Sequence, residues 1–145
     1  MKTVNDILKG KKTEIWSISP AATVFEALKI MGEKEIGAVI VIEKGKMIGI
    51  ISERDYARKI ILKDKTSKNT TVQEIMTSKM FTVKPENTLE ECMVLMTAKH
   101  VRHLPVFDKD TLVGIISIGD AIKAIISEQE SLIAQLSDYI AGKYV

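Results

Sequence analysis

Apolar residues along the chain follow a pattern that occurs twice. After Thr23 the residues Val24, Leu28 and Met31 recur at steps of four and three, the spacing of one helix face, and after Thr88 the residues Leu89, Met93 and Met96 repeat it. Two short runs rich in β-branched residues follow each helical stretch: AVIVI with MIGIIS in the first case, LPVF with LVGIIS in the second. The turns EKGK and DKDT divide them, so each pair reads as a hairpin. A second helix is expected from Ser52 towards Leu62, and again from Ser117 onward. Before each first helix lies a short extended piece ending at Pro20 or Pro85. The predicted unit is β-α-β-β-α, about sixty residues long and written twice.

The duplication survives residue-by-residue comparison. Residues 20–61 laid over 85–126 need no gap, and fourteen of the forty-two positions are identical. Upstream, VNDIL (Val4 to Leu8) matches VQEIM (Val72 to Met76) at an offset of 68 instead of 65, so the first copy carries three extra residues within KGKKTEIW. One unit alone would bury too little surface, and 46% hydrophobic residues suffice for two copies packed together. The expected fold class is α+β: two tandem repeats packed sheet to sheet with pseudo-two-fold symmetry. Their bounds are 4–62 and 72–130, with KDKTSKNTT (63–71) as a polar surface linker and 131–145 as a helical C-terminal extension. That extension continues a helical stripe of Ile122, Ile126, Leu132, Ile133, Leu136, Tyr139 and Ile140, interrupted by Gln129. The stripe must cover something, either the chain's own first repeat or a second copy.

The most similar segments of the two copies are GIISERD (Gly49 to Asp55) and GIISIGD (Gly114 to Asp120). Ser-x-x-Asp ahead of a helix is a capping box, and Thr23-Val-Phe-Glu26 and Thr88-Leu-Glu-Glu91 are the same device at each first helix. Capping alone therefore accounts for all four. The GIIS junctions differ in that a buried strand feeds straight into the helix. A helix N-terminus at a strand's C-terminal end suits a ligand, and a short, fixed aspartate can accept two hydrogen bonds from a vicinal diol such as a ribose. Both readings stand at this point.

Composition narrows the function classes. A net charge of +2 with acids and bases interspersed offers no broad basic face for nucleic acid. Eighteen apolar residues nowhere run together and MKTVNDILKGKK lacks a signal-peptide core, so a cytoplasmic, non-membrane protein is expected. The lone Cys92 lies on the apolar face of a predicted helix, where a small buried hydrophobe is the simplest reading. His100 and His103 are the only histidines and have no cysteine neighbours, which argues against a metal site. GKKT at Gly10 fails as a phosphate loop because the glycine required five residues earlier is Asn5. Catalytic residues and a catalytic cofactor are not expected. Trp16 and Phe81, each four residues before its proline, are read as core anchors or as stacking surfaces near a base.

The duplicated unit with G-h-h-S-x-x-D (h, apolar) closing its last strand resembles the CBS domain family, named for cystathionine β-synthase. IGAVIV, VRHLPV and the closing DYIAGKY resemble the stand-alone CBS-pair proteins of bacteria, which have mitochondrial and plastid relatives. That resemblance implies a Bateman module: a regulatory, energy-sensing, homodimeric domain pair whose clefts take an adenosyl ligand, AMP foremost and otherwise ADP, ATP, NAD or, in some members, S-adenosylmethionine, and which signals to a protein target. An adaptor that only dimerises is the alternative. Carried over by residue, Ser52 with Asp55 and Ser117 with Asp120 would hold ribose, while Arg102 and His103, ahead of Leu104 and Pro105, would hold phosphate. Ile36, Gly37 and Ala38 occupy the matching place in the first copy, with no side chain for phosphate at Gly37 or Ala38. Arg54 in the first helical turn is matched by Gly119. Met76, Thr77 and Ser78 would line adenine in one cleft, and Thr13 falls in the corresponding stretch of the other. Lys11 and Lys12 are read as a solvated turn or as phosphate contacts. Unequal clefts follow.

Overall fold

A computed structural model describes residues 2–11 and 14–142. The chain is α+β and divides into two units, one formed by Glu14–Met80 and the other by the residues before and after that stretch.

In the unit Glu14–Met80, strand β1 (Ser17–Ile18) pairs parallel to β2 (Ala38–Glu43), which pairs antiparallel to β3 (Lys46–Ser52). Lys44 and Gly45, both at positive φ, close the two-residue hairpin. Helix α2 (Val24–Lys34) precedes the hairpin, α3 (Glu53–Lys59) follows it with a 3-10 turn at Ile61–Lys63, and the short α4 (Val72–Ile75) completes the unit. Its core is Val24, Ala27, Met31, Val39, Val41, Ile51, Ile60, Val72 and Ile75.

In the other unit, α1 (Val4–Lys9), α5 (Leu89–Lys99), the antiparallel hairpin of β4 (His103–Asp108) and β5 (Thr111–Ser117), and the long α6 (Ile118–Ile140) come together. Val83 bridges in parallel to Val106, standing where β1 stands in the first unit. The core residues Cys92, Met96, Leu104, Val106 and Ile116 lie 65 positions after Ala27, Met31, Val39, Val41 and Ile51. Both hairpins carry a register shift at the same step, Val41/Ile42 and Val106/Phe107.

The leading helices were missing from the β-α-β-β-α reading, and they are exchanged. Helix α1 opens the first repeat but packs in the second unit, where Val4 joins the core and the Val4 and Asn5 amides donate to the carbonyls of Asn87 and Pro85 at 2.8 and 2.9 Å. Helix α4 opens the second repeat but packs in the first unit, and the Val72 and Gln73 amides donate to Ala22 and Pro20 at 2.8 and 3.0 Å. The repeats along the chain are therefore not the units of packing. At six and four residues these helices are too short to hold alone, so tertiary contact decides where they sit.

The polar stretch 63–71 is also more than a solvated linker. Ser67 and Thr70 accept the amides of Phe25 and Val24 at the start of α2, and Thr70 is buried with its hydroxyl on the Thr66 carbonyl. A helix start leaves its first amides without partners, and this segment supplies them.

Cys92 is buried within the core, where desolvation and the nearby Glu91 push its thiol pKa up, as suits a small hydrophobe. Trp16 and Phe81 are half-buried, with the ammonium groups of the equivalent Lys34 and Lys99 over their rings at 4.3 and 5.2 Å. Among the described residues no helix is long and apolar enough to cross a membrane. Helix α6 runs unbroken through Gln129, so the expected C-terminal extension belongs to the helix that starts at Ser117. Its stripe residues, from Ile122 to Ile140, are exposed.

Candidate ligand-binding junctions

Ser52 and Ser117 cap α3 and α6 as the sequence predicts. Each hydroxyl accepts the amide of Asp55 or Asp120, at 3.2 and 3.1 Å, and each carboxylate Oδ2 accepts the serine amide at 2.9 Å. The caps at Thr23 and Thr88 have the same reciprocal bonds, but their Glu26 and Glu91 carboxylates are exposed. The junction aspartates differ from these in burial: their side chains are 11% and 18% exposed, and each faces a lysine.

In the first unit the Asp55 carboxylate is fully engaged. Oδ2 also accepts the Ser52 hydroxyl at 3.1 Å, while Oδ1 accepts Thr77 Oγ1 at 3.1 Å and faces Lys59 Nζ at 3.1 Å, one helical turn along. Lys59 donates in addition to the Ile75 carbonyl. Thr77 is held by a backbone pair with Ile50, at 2.8 and 3.0 Å, and Met76 lies over Gly49. A Cβ at Gly49 would come within 2.8 Å of Met76 Sδ and 3.0 Å of the Thr77 carbonyl, so the glycine of the motif is what admits the segment after α4. The Glu53 amide donates to the Gly37 carbonyl, and Ala38 stands opposite Ser52 in the sheet. This unit thus brings Gly37, Ala38, Ser52, Asp55, Met76 and Thr77 to one junction; Ile36 packs against the core, Arg54 is half-buried in the first turn and Ser78 is exposed.

In the second unit the lysine comes from the three-residue insertion. Lys11 Nζ lies 2.6 Å from Asp120 Oδ2 and 3.0 Å from the Ile115 carbonyl, so Lys11 is neither a solvated turn nor open for phosphate in this state. Burial disfavours ionisation of Asp120, but the Lys11 ammonium and the Ser117 amide and hydroxyl outweigh it and hold the carboxyl below the ordinary aspartate range. Gly114 repeats the role of Gly49, a Cβ there falling 2.7 Å from Leu8 Cδ2 of α1. The Ile118 amide donates to the Arg102 carbonyl, and His103 stands opposite Ser117. Arg102 is exposed and His103 half-buried, whereas Leu104 and Pro105 are buried and the Leu104 side chain belongs to the core. At Gly119 a Cβ would meet only Ser117 Oγ at 3.6 Å. Thr13 and Lys12 lie outside the described residues.

Sequence reasoning missed both aspartate partners. Lys59 could have been found as the i+4 cation on the Asp55 helix. Lys11 is 109 residues from Asp120, and only its place in the insertion marked it.

Each junction is a helix N-terminus whose carboxylate, hydroxyl and first-turn amides converge, an arrangement able to bind hydroxyl and anionic groups together. Arg102 and His103 add cationic or donor capacity beside one junction and Arg54 beside the other.

The model of the CBS domain family matches residues 4–62 and 72–127. The CBS domain-containing protein CBSX3, mitochondrial, of Arabidopsis thaliana is 38% identical over 152 residues, covering 98% of this chain and 73% of that protein. A protein with CBS domains from Burkholderia ambifaria superposes with a TM-score of 0.85 at 46% identity, over 88% of this chain and 96% of the other. The hexameric CBS-CP12 protein from bloom-forming cyanobacteria superposes with a TM-score of 0.75 at 30% identity, over 84% and 70%. With the duplicated unit, the paired G-I-I-S-x-x-D junctions and these matches agreeing, the chain belongs to the CBS domain family and carries a pair of CBS domains.

Proposed function

We propose that this CBS pair is a non-catalytic regulatory module that binds an adenine nucleotide at its two GIIS junctions, AMP foremost, with ADP, ATP and NAD as the other candidates. It works in the cytoplasm as a homodimer that signals to a protein target. The observation supporting this most is the contrast among caps: Asp55 is buried, Asp120 is half-buried and both are lysine-paired, whereas Glu26 and Glu91, which cap equally well, are exposed. Capping alone does not require that burial. Asp55 and Asp120 accept the ribose hydroxyls, with Lys59 and Lys11 released to solvent or to phosphate. Arg102 and His103 favour phosphate in the second unit, where Gly37 and Ala38 offer none in the first. Regulation further requires that the ligand bind two states of the module unequally.

Thermal unfolding with AMP, ADP, ATP, NAD and adenosine tests the reading, because a ligand bound only by the folded chain raises its melting temperature. Elevation by at least one adenine nucleotide, lost in Asp55→Ala with Asp120→Ala while the variant remains folded, is the expected result. An unchanged melting temperature with every one of them at millimolar concentration overturns it. The exposed stripe of α6 favours a second reading, a dimerising adaptor whose junctions are structural; it predicts self-association with no response to nucleotide.

A further inference from the structure

The homodimer in that proposal has no surface assigned to it, and α6 supplies one. The Glu128 side chain accepts the Lys2 amide at 3.1 Å, and beyond it every residue of α6 is exposed. These last twelve residues, Gln129 to Ile140, continue the helix beyond its packed first turns. Five apolar residues and Gln129 form one continuous seam with the preceding turns: Ile122, Ile126, Gln129, Ile133, Leu136 and Ile140 alternate at steps of four and three, the 3.5-residue repeat of a coiled coil. Leu132 and Tyr139 widen it on one side.

The amount of surface points to a second copy. The exposed fractions run from 46% at Ile122 to 85% at Ile140 over Ile122, Ile126, Leu132, Ile133, Leu136, Tyr139 and Ile140. At about 200 Å² per fully exposed large side chain, this is an apolar face on the order of 800 Å². A monomer's largest patch is usually roughly 300–600 Å², and each partner of a standard interface buries about 800 Å². The sequence of the seam selects the arrangement. Isoleucine fills every a position (Ile126, Ile133, Ile140), and the d positions are Ile122, Gln129 and Leu136; β-branched a with leucine d, as at the Ile133 and Leu136 layers, favours two parallel strands, and a single polar layer fixes register. The one polar seam residue, Gln129, then meets its own copy across the two-fold axis, where each amide donates to the other's carbonyl. In any other register it faces isoleucine or leucine and goes unsatisfied.

We propose that α6 pairs in parallel and in register with α6 of a second copy of this chain, with Gln129 setting the register. This deepens the homodimer reading and is independent of nucleotide, so it is tested without one. Sedimentation equilibrium of the full chain should return a dimer. Leu136→Glu, which places a charge in the seam at a residue outside the core clusters, should weaken association by about tenfold or more with the melting temperature of the diluted chain unchanged. Leu62→Glu, an exposed apolar site in the other unit, should leave the dimer intact. Under mild oxidation Gln129→Cys should cross-link to its own copy, and Ser131→Cys, on the opposite face, should not. A dimer unaffected by Leu136→Glu overturns the seam while leaving the homodimer standing. A monomeric wild-type chain overturns both, and a dimer in which Gln129→Cys fails to cross-link overturns the register.

Discussion

The two GIIS junctions start from nearly the same seven residues and end in different electrostatic surroundings. At GIISERD the lysine facing the carboxylate comes from the same helix, one turn along, and Thr77 fills the remaining acceptor site. At GIISIGD the position equivalent to Lys59 is Ala124, and the cation comes instead from Lys11, 109 residues away in the three-residue insertion. The carboxylate contacts made by described residues at Asp120 fall on Oδ2, whereas at Asp55 both oxygens are engaged. Duplication copied the cap, and divergence outside the motif rewired what the cap's carboxylate faces. The first junction takes its lysine from its own helix, and the second takes it from a segment 109 residues away.

The largest expected difference between them is the cost of removing the carboxylate. Asp55→Ala strands Thr77 Oγ1, Lys59 and the Ser52 cap together and should cost about 2–3 kcal/mol, against about 1–2 kcal/mol for the less buried Asp120→Ala. Denaturant unfolding of both variants checks this, and equal losses would show that the extra partners of Asp55 contribute nothing. Next come the motif glycines. Gly49→Ala presses on a backbone carbonyl held by the Thr77–Ile50 pair and should cost about 1–3 kcal/mol, whereas Gly114→Ala presses on the tip of the Leu8 side chain, which can turn aside, and should cost about 1 kcal/mol or less. The reverse order would mean that α1 is packed more rigidly than the segment after α4.

The smallest effect is the most specific to the second junction. Asp120 titrates below its unfolded value of about 3.9, so the stability it contributes is complete above that pH and is lost as pH falls through the lower folded value. Lys11→Met should raise the folded pKa, cost about 1 kcal/mol near neutral pH, and narrow that deficit as the carboxyl protonates. Unfolding free energies measured from pH 2 to 7 give the comparison. A deficit constant over that range would mean that Lys11 acts through its bond to the Ile115 carbonyl and not through Asp120.

Much of this was legible along the chain. Steps of three and four located α2 and α5, the β-branched runs with charged turns located both hairpins, and Ser-x-x-Asp predicted both caps atom for atom. These features depend on neighbours a few residues apart, which the sequence states directly. The helices at Val4–Lys9 and Val72–Ile75 were not placed, although each has an acid three residues after its threonine. The cap signal was present, but six or four residues form a helix only where the rest of a unit receives them, β5 and α6 in the case of α1 and α3 in the case of α4.

The sequence by itself thus determined the duplicated unit, its caps and the near-identity of the two junctions, because local hydrogen bonds and hydrophobic periodicity are written into adjacent positions. Only the tertiary structure decided that the leading helices change units, that Lys11 closes on Asp120 and that the stripe of α6 remains exposed. Those outcomes depend on which distant surfaces meet, where the gain is set by buried area and paired charge and not by any residue's immediate neighbours.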